Sequence, residues 1–325
     1  MRLLIAFRKP FVALEDALAA AGCVLTRWIP GAHPLPAPEV DGVLVDFCEA
    51  ARHLTAMWRL RRRLGRRVPV VGIDRDAPWY KGVRRRRLWA LRSLRLLDIY
   101  ASHSLQEAEQ FAPRTLYLPN AAQLEWYNLG ASTLEGLRDP ACYRYPVTFL
   151  GNLDARRYRE HQPRVRFLET LRQRLAGLGI ELTLFHSLEM TPAQQVEVIR
   201  ASRINLNYGA ACDHGGQRSW GLPERCYGIP ACGGFLLSDA RRHACDDFVP
   251  GVEWADFQDL EECVARIRHY LDQFQAARRL AEAACQRVWR DHTYAHRAQR
   301  LLETLRAWQS APLTPPMAVA PGDRR

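Results

Sequence analysis

The sequence has no apolar run of the about 18 residues that a membrane-spanning helix needs, so no transmembrane helix is expected. Its nine cysteines contain no C-x-x-C pair, which argues against a zinc ribbon and favours reduced, buried thiols. The phosphate-binding pattern G-x-x-x-x-G-K and the dinucleotide-binding pattern G-x-G-x-x-G are also missing. ATP hydrolysis and hydride transfer are therefore poorly supported.

The composition is that of a folded protein with an excess of positive charge. The 325 residues are 48% hydrophobic and 25% charged, enough for the cores of two domains of ordinary size. The net charge of +11, carried mostly by arginine, suggests an anionic partner such as nucleic acid, a phosphorylated ligand or a membrane. The alternative explanation for the high arginine content is the base composition of the genome. The N-terminus resembles a first buried strand more than a signal peptide, so a cytoplasmic location is expected.

Short apolar runs alternate with helical stretches in two series, which is typical of βαβ units and a parallel sheet. Strands are predicted at 3–7, 23–28, 42–47, 68–73, 97–102 and 115–119, and again at 146–152, 180–185, 203–208 and 234–239. Two of the helices are predicted at 49–64 and 293–308. The predicted fold class is α/β, with two Rossmann-like domains that face each other across a cleft. The predicted divisions are an N-terminal domain at 1–142, a C-terminal domain with a helical end at 143–308, and a disordered tail at 309–325.

Small or polar residues follow the strands of the second half, where open parallel sheets bind ligands. Arg225 follows Pro223 in the first turn of a predicted helix. A helix N-terminus and an arginine together suit a diphosphate, although a surface salt bridge is the alternative. Gly233 and Gly234 stand between that helix and a strand. They permit close approach of the backbone to a ligand, or they form an ordinary helix C-cap.

Seven short motifs occur in order in the second half: FLG (149–151), INLN (204–207), RCY (225–227), ACGGFLLSD (231–239), FVPGVEW (248–254), LEE (260–262) and HTYAHR (292–297). In this order and spacing they resemble the CgeB-like branch of the group 1 glycosyltransferases, enzymes of the GT-B fold. The resemblance implies a hexosyltransferase-like enzyme that moves a sugar from a nucleotide-sugar donor to an unknown acceptor, which is a protein, a lipid-linked molecule or a glycan. It also implies a retaining reaction without metal or other cofactor.

The resemblance and the strand-end positions together suggest a set of donor-binding residues: Gly151, Asn152, Asn207, Glu224, Arg225, Tyr227, Gly233 and Gly234. One position departs from the pattern of the branch. Gly228 stands where an acidic residue usually follows the aromatic one, and Glu224, one helical turn earlier, is a partial substitute. A catalytically inactive GT-B protein that binds an anionic partner is therefore the alternative function.

The first half contains one D-x-D pattern, Asp74-Arg75-Asp76, directly after a predicted strand. In the GT-B arrangement this half faces the acceptor. Asp76 is therefore the candidate catalytic residue, as a base or as a group that positions the acceptor. A metal ligand and a loop or N-cap residue are the alternatives for Asp76. The second half has no D-x-D after a strand, which agrees with a reaction that needs no metal site.

Residues 83–97 form a basic amphipathic stretch, predicted to be helical, in which leucines and Trp89 alternate with arginines. Three interpretations remain open. The stretch packs on the sheet with a solvated basic face, makes a peripheral contact with an anionic membrane, or binds nucleic acid. The last has least support, because no aromatic stacking platform accompanies the charge.

Overall fold

The computed structural model describes residues 1–34, 39–76, 84–210, 213 and 218–310. Two parallel β-sheets, each flanked by helices, form the framework. Their strands follow the two series of apolar runs, so the predicted α/β class is confirmed. Each sheet belongs to one half of the chain. The predicted division at 142/143 lies between the last strand of the first sheet and the first strand of the second, and it stays a prediction.

The first sheet has six strands in the order β2-β1-β3-β4-β5-β6, and all neighbours are parallel. The middle strands are buried on both faces, which explains their continuous apolar sequences. The strand bounds are β1 Arg2–Ala6, β2 Val24–Arg27, β3 Gly42–Asp46, β4 Val70–Asp74, β5 Ile99–Ser102 and β6 Arg114–Tyr117.

The helices of the first half are α1 Val12–Ala20, α2 Phe47–Arg52, α3 Leu54–Leu64 and α4 Arg85–Ser93. The single helix predicted at 49–64 is wrong, because His53 leaves helical geometry (φ −115°, ψ 48°) and separates α2 from α3. The basic helix is shorter than the predicted stretch of 83–97. Residue 83 lies outside the described residues, and helix α4 ends at Ser93.

The second sheet has five parallel strands in the order β11-β10-β9-β7-β8. The strand bounds are β7 Tyr145–Gly151, β8 Leu182–His186, β9 Ser202–Asn207, β10 Leu236–Asp239 and β11 Ala255–Phe257. Only β11 was not predicted, since three residues give too short a pattern to recognise. The helices are α5 Gln162–Ala176, α6 Pro192–Arg200, α7 Arg225–Ala231, α8 Ala244–Asp247, α9 Leu260–Asp272, α10 Phe274–Asp291 and α11 Tyr294–Ser310.

Helix α11 follows the second sheet in the chain but packs on the first. Its apolar face, formed by Tyr294, Ala298, Leu301, Leu302 and Leu305, lies in the same buried cluster as the residues of β1 and α1. The helix extends two residues beyond the predicted end at 308, and 311–325 lie outside the described residues. Among the described residues, no helix has both the length and the apolar character needed to cross a bilayer.

The HTYAHR motif joins the two halves at the start of α11. Arg297 donates from Nη2 to His292 Nδ1 (2.9 Å) and from Nε to the carbonyl oxygen of Pro119 (3.0 Å). His292 Nε2, which therefore carries the proton, donates to the carbonyl oxygen of Asp247 at 2.8 Å. Burial lowers the pKa of His292 to about 4, so the imidazole is neutral at pH 7. The motif therefore has a structural role at this junction.

Candidate functional site

A cavity of about 560 Å³ lies between the carboxyl ends of the two sheets. The first half contributes residues that follow β1, β4, β5 and β6: Phe11, Arg75, Asp76, His103 and Asn120. The second half contributes residues after β7, β8 and β9 and the N-terminal turn of α7. Among the predicted donor-binding residues, Gly151, Asn152, Glu224 and Arg225 line this cavity.

Arg225 is the first residue of α7, and its guanidinium is held by neutral groups. Nε donates to Asn207 Oδ1 at 2.5 Å, and Nη2 donates to the carbonyl oxygen of Gly209 at 2.7 Å. Nη1 has no hydrogen-bond partner within the described part of the chain. Burial lowers the pKa of this group. The surface salt bridge considered as the alternative is not formed with any described residue.

Arg164, in the first turn of α5, is a second cavity residue that the sequence analysis did not single out. Its Nε donates to the carbonyl oxygen of Tyr208 (2.9 Å) and its Nη1 to that of Asn152 (3.0 Å). Burial and then the neighbouring Arg225 lower the pKa of Arg164. The sequence did contain a signal for Arg164, because the pattern of the resembled branch includes an arginine in this helix.

The two arginines lie near each other, and the carboxylates of Asp213 and Asp239 act on both without a hydrogen bond to either guanidinium. Both guanidiniums are held only by carbonyl and amide oxygens, and neither forms an ion pair with a carboxylate of the described residues. The charge of Arg225 lowers the pKa of Arg164, whereas the charges of Asp213 and Asp239 raise it. The guanidinium donors that have no acceptor among the described residues, Arg225 Nη1 among them, are available to an anion in the cavity.

Glu224 lies beside Arg225, lines the cavity and is exposed there. Desolvation by the surrounding protein raises the pKa of its carboxyl group, and Arg75 of the first half acts in the opposite direction. The Arg75 guanidinium itself lies 4.7 Å from the ring centre of Phe11. No hydrogen bond of the Glu224 side chain to a described residue is formed. Its carboxylate is therefore available to a ligand in the cavity.

Asp76 and His103 line the cavity on the side of the first half. The backbone N–H of Asp76 donates to Asp74 Oδ1 (3.2 Å), and Asp74 also accepts a hydrogen bond from Tyr100. His103 is buried, and burial lowers its pKa despite the nearby carboxylate of Asp76. The neutral imidazole of His103 and the Asp76 side chain therefore line the same cavity as the arginine pair.

Asn207 and Tyr227 do not line the cavity. Asn207 is fully buried, donates to Ser238 Oγ (2.8 Å) and Asp239 Oδ1 (2.9 Å), and accepts from Arg225. It positions Arg225, and the structure corrects its predicted role as a direct contact. Tyr227 is also fully buried and donates its hydroxyl to Asp247, which accepts a second hydrogen bond from Tyr117 at 2.8 Å. The predicted direct contact is corrected here too, because Tyr227 belongs to the junction between the halves.

Gly233 and Gly234 end helix α7 and lie away from the cavity. The N–H of Gly234 donates to the carbonyl oxygen of Ile229 (3.0 Å), and Gly233 has a φ of +71°. A Cβ atom on Gly233 would lie 2.8 Å from side-chain atoms of both Leu129 and Leu137. The structure therefore corrects the predicted ligand contact, and the C-cap alternative explains the glycine pair.

A buried ion cluster fixes the backbone beneath the arginine pair. Arg241 donates from Nη2 to Asp213 Oδ2 (2.6 Å) and Asp239 Oδ2 (2.9 Å). The same two carboxylates accept the N–H groups of Gly209 (3.2 Å) and Ala210 (2.8 Å). Arg241 lowers the pKa of Asp213 despite its burial. The cluster thereby holds the Gly209 carbonyl in the position where it binds Arg225.

A family model described as glycosyl transferase-like matches 149–303 of this chain. This region, just under half of the chain, is similar to a glycosyltransferase domain. The region contains both cavity arginines, Glu224 and the ion cluster. The prediction that the chain is a glycosyltransferase is confirmed at this level. No curated protein matches the chain in sequence.

Solved structures extend the likeness beyond this region to the whole GT-B fold. Sucrose-phosphate synthase from Thermosynechococcus elongatus has a TM-score of 0.64 at 14% identity, over 94% of this chain and 98% of its own. Anabaena HepE, in complex with UDP and glucose, has a TM-score of 0.60 at 12% identity, over 94% and 100%. An α,α-trehalose-phosphate synthase (UDP-forming) from Burkholderia vietnamiensis has 0.58 at 12%, over 94% and 97%. The predicted GT-B fold is confirmed.

Proposed function

We propose that this protein transfers a hexose from a nucleotide-sugar donor to an acceptor and belongs to the CgeB-like branch. The Arg164–Arg225 pair is the observation that carries the proposal. Two guanidiniums with free donors and no carboxylate partner among the described residues suit a diphosphate, which offers several charged acceptor oxygens. The structures that share the fold support this assignment, because one of them is a complex with UDP and glucose.

The chemistry follows from the charge that develops during transfer. The bond between the sugar C1 and the diphosphate oxygen breaks, a bond from C1 to an acceptor oxygen forms, and the acceptor loses its proton. The negative charge on the leaving diphosphate grows in this step, and Arg164 and Arg225 stabilise it. Because these side chains supply the positive charge, we propose that the transfer is independent of metal. Retention of configuration is proposed from the resemblance to the branch alone.

On the opposite side of the cavity, we propose that Asp76 binds or deprotonates the acceptor. Asp76 and the neutral His103 belong to the half that does not hold the arginines, as an acceptor site requires. The donor would then lie in 143–308 and the acceptor would approach from 1–142. The acceptor itself is a protein, a lipid-linked molecule or a glycan.

The test is a thermal-shift panel of UDP, dTDP, GDP, ADP and CMP, first without metal and then with magnesium. We expect one nucleoside diphosphate to raise the melting temperature without metal, because it binds the folded state selectively. Donors with that base are then screened for release of the nucleoside diphosphate. A shift that appears only with magnesium would contradict metal independence. No shift with any nucleotide would contradict the proposal and favour a non-catalytic protein that binds another anion.

A peripheral membrane contact is the second part of the proposal, and helices α3 and α4 supply its surface. The two helices contact each other, and their exposed faces contain Trp58, Trp89 and Leu94 among many exposed arginines. Trp89 is 71% exposed, and α4 buries only Leu91. Exposed tryptophans surrounded by positive charge are typical of surfaces that bind anionic bilayers.

Sedimentation with vesicles tests this contact. The protein is expected to bind vesicles that contain anionic lipid at low salt, and to dissociate as the salt concentration rises. Trp89→Ser should weaken this binding, whereas Trp126→Ser, a matched control at a tryptophan that is 49% exposed elsewhere, should not. Equal binding by both variants, or no binding at low salt, would contradict the membrane contact and leave only a solvated basic face.

A further inference from the structure

Gly228, one turn after Arg225 in α7, has an aromatic ring packed directly against its backbone. A Cβ atom built on Gly228 would lie 2.9 Å from both Cδ1 and Cε1 of Tyr127 and 3.1 Å from Cγ. Separations below about 3.0 Å are essentially never observed for real Cβ atoms. No side chain at position 228 is therefore compatible with Tyr127 in this place. The ring occupies the volume that an acidic side chain would need.

The segment that contains Tyr127 is fixed from both sides. The Tyr127 N–H donates to the carbonyl oxygen of Gln123 (2.9 Å), and Ala122 forms a β-bridge with Thr293. The next residue, Asn128, accepts a hydrogen bond from Arg200 Nε on its carbonyl oxygen at 3.0 Å. Displacement of the segment away from Gly228 would have to break these backbone contacts, and rotation of the ring would have to overcome its packing against α7.

Tyr127 lines the same cavity as the arginine pair and offers a polar group to it. Its hydroxyl forms no hydrogen bond within the described part of the chain. Burial and the nearby Glu224 raise its pKa, so the hydroxyl remains protonated at pH 7 and can both donate and accept. Tyr127 lies near Arg225 and Glu224, the two cavity residues at the start of α7.

We propose that Tyr127 recognises the nucleoside of the donor, with its ring against the ribose and its hydroxyl bonded to a ribose oxygen. This inference rests on the proposed function. If the diphosphate lies on Arg164 and Arg225 and the sugar points to Asp76, the nucleoside is left beside α7 and Tyr127. Glycine at position 228 then leaves room for the Tyr127 ring. The ribose is recognised by a residue of the segment between the two sheets, Tyr127, instead of by a residue of helix α7.

Calorimetry with two probes tests this proposal. A nucleoside diphosphate, chosen from the thermal-shift panel, reports on the whole site, and inorganic pyrophosphate reports only on the arginines. Tyr127→Phe keeps the ring on Gly228, so the fold is preserved. It should weaken nucleoside diphosphate binding about fivefold, as expected for one neutral hydrogen bond, and leave pyrophosphate binding unchanged. The wild-type preference for the ribose form over the 2′-deoxyribose form should also decrease.

The possible results separate this proposal from the proposed function. If the wild type binds the nucleoside diphosphate and Tyr127→Phe and Tyr127→Leu bind it equally well, Tyr127 is not a recognition residue. If Tyr127→Phe loses pyrophosphate binding as well, Tyr127 only supports the arginines, and the proposal is also overturned. If the wild type binds pyrophosphate but no nucleotide, the proposed function fails together with this inference.

A stability measurement tests the packing without any ligand. Gly228→Ala should lower the melting temperature in the wild-type background, because the new methyl group meets the ring of Tyr127. In a Tyr127→Ala background the same change should raise the melting temperature, since alanine favours a helix more than glycine does. An identical effect in the two backgrounds would show that the ring does not occupy the position at Gly228.

Discussion

Arg225→Ala and Arg164→Ala are each expected to weaken binding of the nucleoside diphosphate by about ten- to hundredfold. Each variant removes charged hydrogen bonds, which contribute about 1.5–3 kcal/mol apiece. The unliganded protein should tolerate both changes, because the remaining guanidinium is relieved of a like charge. Isothermal titration calorimetry at constant salt measures the dissociation constants directly.

Arg166→Ala is the matched control for this prediction. Arg166 lies two residues from Arg164 on helix α5, but its side chain is exposed and does not line the cavity. Its removal lowers the net positive charge by the same amount. Equal losses of affinity in all three variants would indicate a general effect of charge and would contradict a specific site at Arg164 and Arg225.

Arg241→Met is expected to destabilise the fold by about 3–5 kcal/mol, the usual result of removing one partner from a buried ion pair. The change would leave the carboxylates of Asp213 and Asp239 close together, without the guanidinium that joins them. Urea denaturation at pH 7 gives the free energy of unfolding. A stability equal to that of the wild type would show that the cluster does not support the fold.

The effect of Arg241→Met should also decrease as the pH falls. In the wild type, Arg241 lowers the pKa of Asp213, so the stability from this contact is present above the unfolded pKa and is lost on acidification. Protonation also neutralises the carboxylates of Asp213 and Asp239, which the variant leaves without the Arg241 guanidinium. Arg174→Ala serves as control, because Arg174 and Glu261 form an exposed ion pair and little change is expected.

The sheets could be predicted from the sequence because parallel strands with both faces buried give continuous apolar runs, as in LLIAF and GVLVDF. Local patterns were less informative where the same short sequence is compatible with two different structures. The run at 49–64 has helical periodicity throughout, and nothing in it marks the break at His53. Likewise, two glycines before a strand suit both a ligand contact and a helix C-cap. Only the neighbouring Leu129 and Leu137 decide between them.

The candidate site could be predicted only in part, because its residues come together through long-range contacts. Arg225 was identifiable from its position at a helix start. Arg164 is one of several arginines on α5, and only the fold places it beside Arg225. Asn207 stands at a strand end, as a ligand contact would, but its Oδ1 accepts a hydrogen bond from Arg225 of α7 and its Nδ2 donates to Ser238 and Asp239 of β10. Tyr127 could not be predicted as a site residue, because it lies in an irregular segment whose sequence has no helix or strand pattern.

Helix α11 has a consequence for the order in which the protein can form. The core between β1 and α1 is closed on one side by Leu301, Leu302 and Leu305, which are synthesised about 300 residues after Met1. Until that helix leaves the ribosome, this side of the first sheet remains uncovered. The core of the second sheet contains Ala277, Leu280 and Ala281 of α10, which precedes α11 in the chain. This half can therefore complete its core slightly before the half that precedes it in the chain.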